Sequence, residues 1–187
     1  MRAKLLPFAL FTACMLFASR SDYLSIKQKF LTIQNGRAAR GTRVPIPSTE
    51  LNAYVQTELP KVVPQGIREP VVELLGNNSA RATAYVNFLK MQNARGQAPG
   101  WLMRNLLNGE HQLVVTANMN SAKGSAVVYL TRVEIGGVPV EGAALNFLIE
   151  NYLLPNYPEA RIGKPFQLDY NMDRVEVKPG VAYVVIR

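Results

Sequence analysis

Pro70-Val71-Val72-Glu73-Leu74-Leu75-Gly76-Asn77-Asn78-Ser79-Ala80-Arg81-Ala82-Thr83-Ala84-Tyr85-Val86-Asn87-Phe88 decides the fold. Its second half alternates. Ala82, Ala84, Val86 and Phe88 share one face of an extended chain, and Arg81, Thr83, Tyr85 and Asn87 share the other. One dry face and one wet face mark a half-buried antiparallel strand. Residues 70–75 are mostly apolar, and Gly76-Asn77-Asn78 supplies residues that tolerate the left-handed backbone of a tight turn. The stretch predicts a β-hairpin.

The same grammar extends toward the C-terminus. Residues 111–119 and 125–135 are expected as strands around a turn at 120–124, and Gly136-Gly137 turns the chain again. Residues 165–170, 174–178 and 181–187 are the last expected strands, with Pro179-Gly180 turning the final pair. Three helices are expected beside them, and residues 100–107, ended by Asn108-Gly109, are a further short-helix candidate. Over 22–35, Tyr23, Ile26, Phe30 and Ile33 recur at helical spacing, Leu24 and Leu31 widen the apolar face, and Asn35-Gly36 stops it. A second helix follows a Ser48 or Thr49 cap, with Glu50 in its first turn. Leu51, Tyr54, Val55 and Leu59 form one face, and Pro60 and Pro64 close it. A third begins near Gly142, presents Leu145, Leu148, Ile149, Tyr152 and Leu153, and ends at Pro155. Hairpins dominate and few helices alternate with strands. The class is α+β, a curved antiparallel sheet packed against a few helices.

The chain also repeats itself. Val44-Pro45-Ile46 and Val138-Pro139-Val140 precede Leu51-Asn52 and Leu145-Asn146 at a constant offset of 94 residues. Leu59, Pro60, Ile67 and Pro70 find counterparts in Leu153, Pro155, Ile162 and Pro165, and Ala84-Tyr85-Val86 in Ala182-Tyr183-Val184. An ordered series of this kind implies one strand–helix–strand–strand unit used twice, at about 43–90 and 137–187, around an unrepeated insertion at 91–136.

Residues 1–20 are expected to be a signal peptide. Arg2 and Lys4 precede an apolar run over 5–18, and polar residues follow from Ser19. That run is shorter than the roughly 20 residues of a membrane span. Phe11-Thr12-Ala13-Cys14 loosely matches a lipobox, which makes a lipoprotein anchored through Cys14 the minority expectation. Cys14 is the sole cysteine, so the mature domain, 21–187, has no disulfide and no thiolate chemistry. A 48% hydrophobic composition supplies a sizeable core, and the net charge of +8 suits an anionic membrane surface or acidic polymer. Export argues against nucleic acid. A solvated basic surface is the plainest explanation of the charge, and only Arg37, Arg40 and Arg43 form a local series.

Catalytic and cofactor motifs are absent. His111 is the one histidine, which excludes a multi-histidine metal site. There is no nucleophile elbow, Walker loop or dinucleotide glycine fingerprint, so no cofactor is expected. Glu50, Glu73, Glu134 and Glu176 have structural places in a helix turn or on strands. The inserted segment carries Trp101 beside Leu102, Met103, Leu106 and Leu107, with Arg104. A tryptophan there serves as a pocket lid, a membrane-touching tip or a plug for one end of the core.

Residues 50–60, Trp101-Leu102 and Gly136-Gly137-Val138-Pro139 resemble an uncharacterised family of exported acidobacterial proteins. That resemblance covers nearly the whole mature chain and implies no activity. More remotely, export, a Gly-Gly-Val-Pro turn before a helix and closing hairpins resemble LmeA-type and YceB-type envelope proteins, related to tubular lipid-binding domains. In those a curved sheet wraps a long helix around an apolar groove, so the resemblance implies lipid binding. The short helices and the duplication depart from it. The expectation is a non-catalytic envelope protein holding a lipid or other apolar ligand between sheet and helices, with Trp101, Leu102, Leu106, Tyr54, Leu148 and Tyr152 as its lining. The alternatives are an envelope interaction module using strand edges near Pro45 and Pro139, and an enzyme acting on an envelope polymer.

Overall fold

The hairpin at 70–88 forms as two long antiparallel strands. Asn77 and Asn78 turn it at φ 50° and 57°, the left-handed pair that a two-residue hairpin loop requires. Gly76 sits at φ 91°, and a Cβ there would stand 2.8 Å from Pro179 Cδ, so both backbone and space demand glycine. The computed structural model describes residues 7–62, 66–88, 90, 108–154 and 162–187.

In chain order the elements are α1 (Pro7–Gln34), β1 (Arg43–Pro47), α2 (Ser48–Val62), β2 (Ile67–Gly76), β3 (Ser79–Val86), β4 (His111–Ala122), β5 (Ser125–Ile135) and β6 (Val138–Pro139). Then come α3 (Gly142–Leu148), its π-helical continuation (Ile149–Leu153), β7 (Phe166–Gln167), β8 (Met172–Lys178) and β9 (Val181–Ile186). They make an α+β domain. Six strands form the larger antiparallel sheet, in the order β2-β3-β4-β5-β6 with β7 also on β5, and three form the smaller, β1-β9-β8.

The alternation of the opening stretch sets the layers. On β3, Ala80, Ala84 and Val86 meet the core, while Arg81 and Tyr85 face solvent. Two clusters cover opposite strand ends of that one dry face. The first joins Val72, Leu74 and Ala80 to Ile26, Phe30 and Ile33 of α1, Leu51 and Tyr54 of α2, and Ala182, Val184 and Ile186 of the small sheet. The second joins Val86, Leu113, Val133 and Ile135 to Val140, Leu145 and Leu148. Ile26 is fully buried, a contribution of about 1.5–3 kcal/mol.

The small sheet docks by hydrogen bonds as well as by its core. Val177 N–H donates to Asn78 Oδ1 at 3.0 Å, and its carbonyl accepts from Asn78 N–H at 3.1 Å. Ser121 Oγ donates to the Val175 carbonyl at 2.9 Å and accepts from its N–H at 2.8 Å. These groups occupy the free edge of β8, which would otherwise invite pairing with another chain. Buried Glu50 of α2 accepts from Lys29 at 2.7 Å and Ser25 at 2.9 Å of α1, and Lys29 also reaches the Pro45 carbonyl at 2.8 Å. One buried carboxylate thus fixes two helices and β1.

Several expectations change. Leu24 and Leu31 do not widen the buried face of α1; they are 55% and 48% exposed, because the i, i+3/i+4, i+7 row through Ile26 and Ile33 already fills the contact. Pro60 lies inside α2, which ends at Val62, since a proline in the last turn forfeits only a single intrahelical bond. The Ser48 hydroxyl donates to the Gly180 carbonyl at 2.9 Å instead of capping α2. The five-residue turn at 120–124 shrinks to Lys123-Gly124, and the strand expected over 165–170 to Phe166–Gln167. α1, Pro7–Gln34, is continuous across residue 20, which leaves the expected end of the signal peptide as it stands. The C-terminus of α1 lies where the sequence places it. Gly36, at φ 64°, donates to the Ile33 carbonyl and Arg37 to that of Thr32, a Schellman stop.

The repeated segments take similar local shapes and different partners. Val44-Pro45-Ile46 lies in β1, which pairs with β9, whereas Val138–Pro139 pairs with β5. The hairpins β2–β3 and β8–β9 belong to different sheets. Tyr85 and Tyr183, matching positions, each carry an arginine over the ring, Arg68 at 5.6 Å and Arg43 at 4.7 Å.

Candidate functional site

β5 cannot keep one register along β4. Thr116 pairs with Arg132 and Ala117 with Leu130, which leaves Thr131 as an extra residue, a β-bulge. Thr131 Oγ1 donates to the Thr116 carbonyl at 3.1 Å and closes the bulge. The outer side of β5 is taken by β6 at Glu134 and Ile135, by β7 at Ser125 and Ala126, and by Ile162 at Val128. Among the described residues nothing pairs with β5 on that side over residues 130–132.

A cleft of about 380 Å³ opens at this interruption. Leu130, Thr131, Arg132 and Val133 form one wall, and Pro139, Val140, Glu141 and Leu145 form the other. Its floor is dry, since Val133 and Val140 are buried and joined by a 2.8 Å bond from Val140 N–H to the Val133 carbonyl. Its rim is charged. Arg132 is exposed and donates through Nε and Nη2 to Glu134, at 2.8 Å from Nε, and Glu141 is also exposed. The cleft is thus of mixed character, apolar at the floor and polar at the mouth, and its volume falls in the range of roughly 300–1,000 Å³ usual for small-molecule sites.

The expected lining is only partly assembled here. Leu148 is buried in the second cluster, with the cleft residues Val133, Val140, Leu130 and Leu145. Tyr54 lies in the first cluster, edge-on to Phe30 at 5.0 Å and stacked on Tyr23 at 6.4 Å, where it packs α2 on α1. The two positions therefore do not share a pocket wall. Tyr152 belongs to the π-helical turn, and its side chain lies outside the described residues, as do Trp101, Leu102 and Leu106. The reading of single elements missed Leu130, Thr131 and Arg132. A signal for them exists: the inward apolar residues of β5 run 126, 128, 130 and then 133, 135, and the three-residue step marks the bulge.

Among the described residues no catalytic constellation stands beside the cleft. His111 begins β4 as expected, its Nε2 2.7 Å from the Asn108 carbonyl. Among the described residues no group of three or more His, Cys, Asp and Glu could hold a metal ion. Shifted carboxylates occur at surface pairs. The Tyr23 hydroxyl, then Lys61, hold Glu58 below the ordinary carboxylate range, and Arg68 does the same for Glu110 through bonds of 2.7 and 2.9 Å. Partner hydrogen bonds explain both shifts without a functional site.

The fold is thus an α+β domain with a cleft at a bulged strand. No family model matches the chain, and neither a curated protein nor a solved structure matches it. Among the described residues no helix is long and apolar enough to cross a membrane.

Proposed function

We propose that this chain is an exported envelope protein that binds an apolar ligand, a lipid acyl chain, in the cleft between β5 and α3. The observation that carries this reading is the cleft itself, with Leu130, Val133, Pro139, Val140 and Leu145 as its apolar surface and Arg132 at its rim. Each methylene moved from water to such a surface contributes about 0.8 kcal/mol. Burying about eight therefore supplies roughly 6 kcal/mol before the cost of immobilising the chain, so a single acyl chain binds no tighter than tens of micromolar. The resemblance to tubular lipid-binding envelope proteins and the apolar N-terminal run support the same class and compartment.

The test fills the cleft. Leu145→Trp should weaken binding of the fluorescent fatty acid cis-parinaric acid at least tenfold, with the melting temperature changed by only a few degrees. Native mass spectrometry of the wild-type protein from its own envelope should show a bound lipid. A wild-type protein that carries no lipid and binds no cis-parinaric acid rejects the reading.

A second reading, a non-catalytic interaction module of the envelope, is favoured by the outer side of β5 at residues 130–132, which is unpaired among the described residues and lies next to Pro139. An extended peptide would add a strand there and place an apolar side chain in the cleft. Stoichiometric recovery of one envelope protein after mild crosslinking, lost in Leu145→Trp, would favour it over lipid.

A further inference from the structure

Four pieces of chain are tied together at the end of the molecule where α1 stops. Gly41 N–H donates to the Ile186 carbonyl at 2.8 Å, and Ile186 N–H returns to Thr42 at 3.0 Å. Arg187 N–H donates to Asn171 at 2.9 Å, Leu168 N–H to Gly124 at 2.8 Å, and Gly124 N–H to Asp173 at 2.7 Å. The α1–β1 connector, the C-terminus, the loop before β8 and the β4–β5 turn thus form one surface. The Arg187 guanidinium closes it: a Cβ on Gly124 would stand 2.3 Å from its Nη1.

That surface carries charge the fold does not neutralise. Arg37, Arg40, Lys123 and Arg187 are all exposed, and among the described residues none has a carboxylate within ion-pair distance. Arg68, Arg81 and Arg132, on other surfaces, are each paired. Among the described residues the acidic groups at the same end are Asp169, the C-terminal carboxylate and Asp173, and Arg174 engages Asp173. The cations remain in excess. Two of the elements that meet here also expose a large apolar side chain. Tyr170 is 52% exposed at φ 54°, and Leu31 is 48% exposed near the end of α1. A left-handed backbone is unfavourable for tyrosine, yet the turn holds this ring outward.

We propose that this end of the domain docks on an anionic phospholipid surface. Arg37, Arg40, Lys123 and Arg187 meet headgroup phosphates, and Tyr170 and Leu31 enter the boundary between headgroups and acyl chains. The charge is complementary to such a surface, and the apolar pair decides between polyanions. A nucleic acid or acidic polysaccharide offers Leu31 nothing, whereas a bilayer interface is wet on one side and apolar on the other. The surface is separate from the cleft, so the two proposals stand or fall independently.

The full chain is sedimented with phosphatidylcholine vesicles and with vesicles of equal parts phosphatidylcholine and phosphatidylglycerol. Binding should require the anionic lipid and weaken with salt. Each cation near an anionic leaflet is worth about fivefold in affinity, so Arg37→Gln with Arg40→Gln should weaken binding about 25-fold. Arg37→Lys with Arg40→Lys should retain it, and Tyr170→Ala should weaken it severalfold at any salt concentration. Leu145→Trp should leave vesicle binding unchanged. Equal binding to both vesicle types, or indifference to the double glutamine variant, overturns the proposal. So does binding to dextran sulfate as tight as to vesicles with no effect of Tyr170→Ala, which would make this a polyanion surface.

Discussion

Asn52 and Asn146 occupy matching places in the repeat, and the fold uses them differently. The Asn52 side chain accepts from Val72 N–H at 2.7 Å and donates to the Val72 carbonyl at 2.8 Å, whereas Asn146 is exposed. Glu50 shows the same dependence on surroundings. In the sequence it is a first-turn acid favoured by the helix dipole. In the structure its burial is sustained by Lys29 and Ser25, so removing Lys29 would strand a charge. Thr116 is the opposite case. Its Oγ1 is buried beside the bulge with no hydrogen-bond partner among the described residues. A buried polar group left unmade costs about 1–3 kcal/mol. Thr116→Val, nearly the same shape, should therefore raise the unfolding free energy measured in urea by up to that amount, and a fall of more than about 1 kcal/mol would show that the hydroxyl is satisfied in solution.

At the scale of elements, edges and turns are managed by side chains from neighbouring layers. β2 is the outer strand of the large sheet, and its pairing with β3 shifts between Arg68 and Val71. Asn52 reaches across from α2 and satisfies the backbone just past that irregularity. Asn52→Ala should cost about 1–3 kcal/mol and speed amide exchange at Val72 more than at Val133; equal rates at both would show that α2 does not hold this edge. The hairpins and the Schellman stop of α1 were legible because glycine and asparagine at a turn report local backbone geometry directly. The capping role given to Ser48 was not, because a hydroxyl that can cap can also donate elsewhere, and the Gly180 carbonyl comes from residues far along the chain.

For the whole molecule, acid is the sensitive variable. Tyr23 joins α1 to Glu58 of α2, and Arg68 of β2 joins Glu110 ahead of β4. The fold holds both carboxylates below their ordinary value of 4.5. A carboxylate depressed on folding contributes stability that is present above its unfolded value and lost as pH falls through the folded one. The melting temperature should thus hold from neutral pH to about pH 4.5 and decline below it. Glu58→Gln with Glu110→Gln should lower the neutral-pH value and flatten the acid decline. An unchanged acid slope in that variant would assign the pH dependence to other carboxylates.

The sequence by itself determined the class, the hairpins, the turn glycines, the buried row of α1 and the edge placement of Pro45; on β3 it placed Ala84 and Val86 in the core but also Ala82, which is exposed. All of these follow from local backbone preference or from a period of 2 or 3.6 residues, which neighbouring residues carry. Only the tertiary structure decided that the matching hairpins go to different sheets, that Tyr54 and Leu148 serve separate clusters, and that a cleft opens at residues 130–133. Those outcomes depend on pairing between distant segments and on one extra residue in β5. A strand's outer partner, and the space left when it has none, are not written in its own alternation.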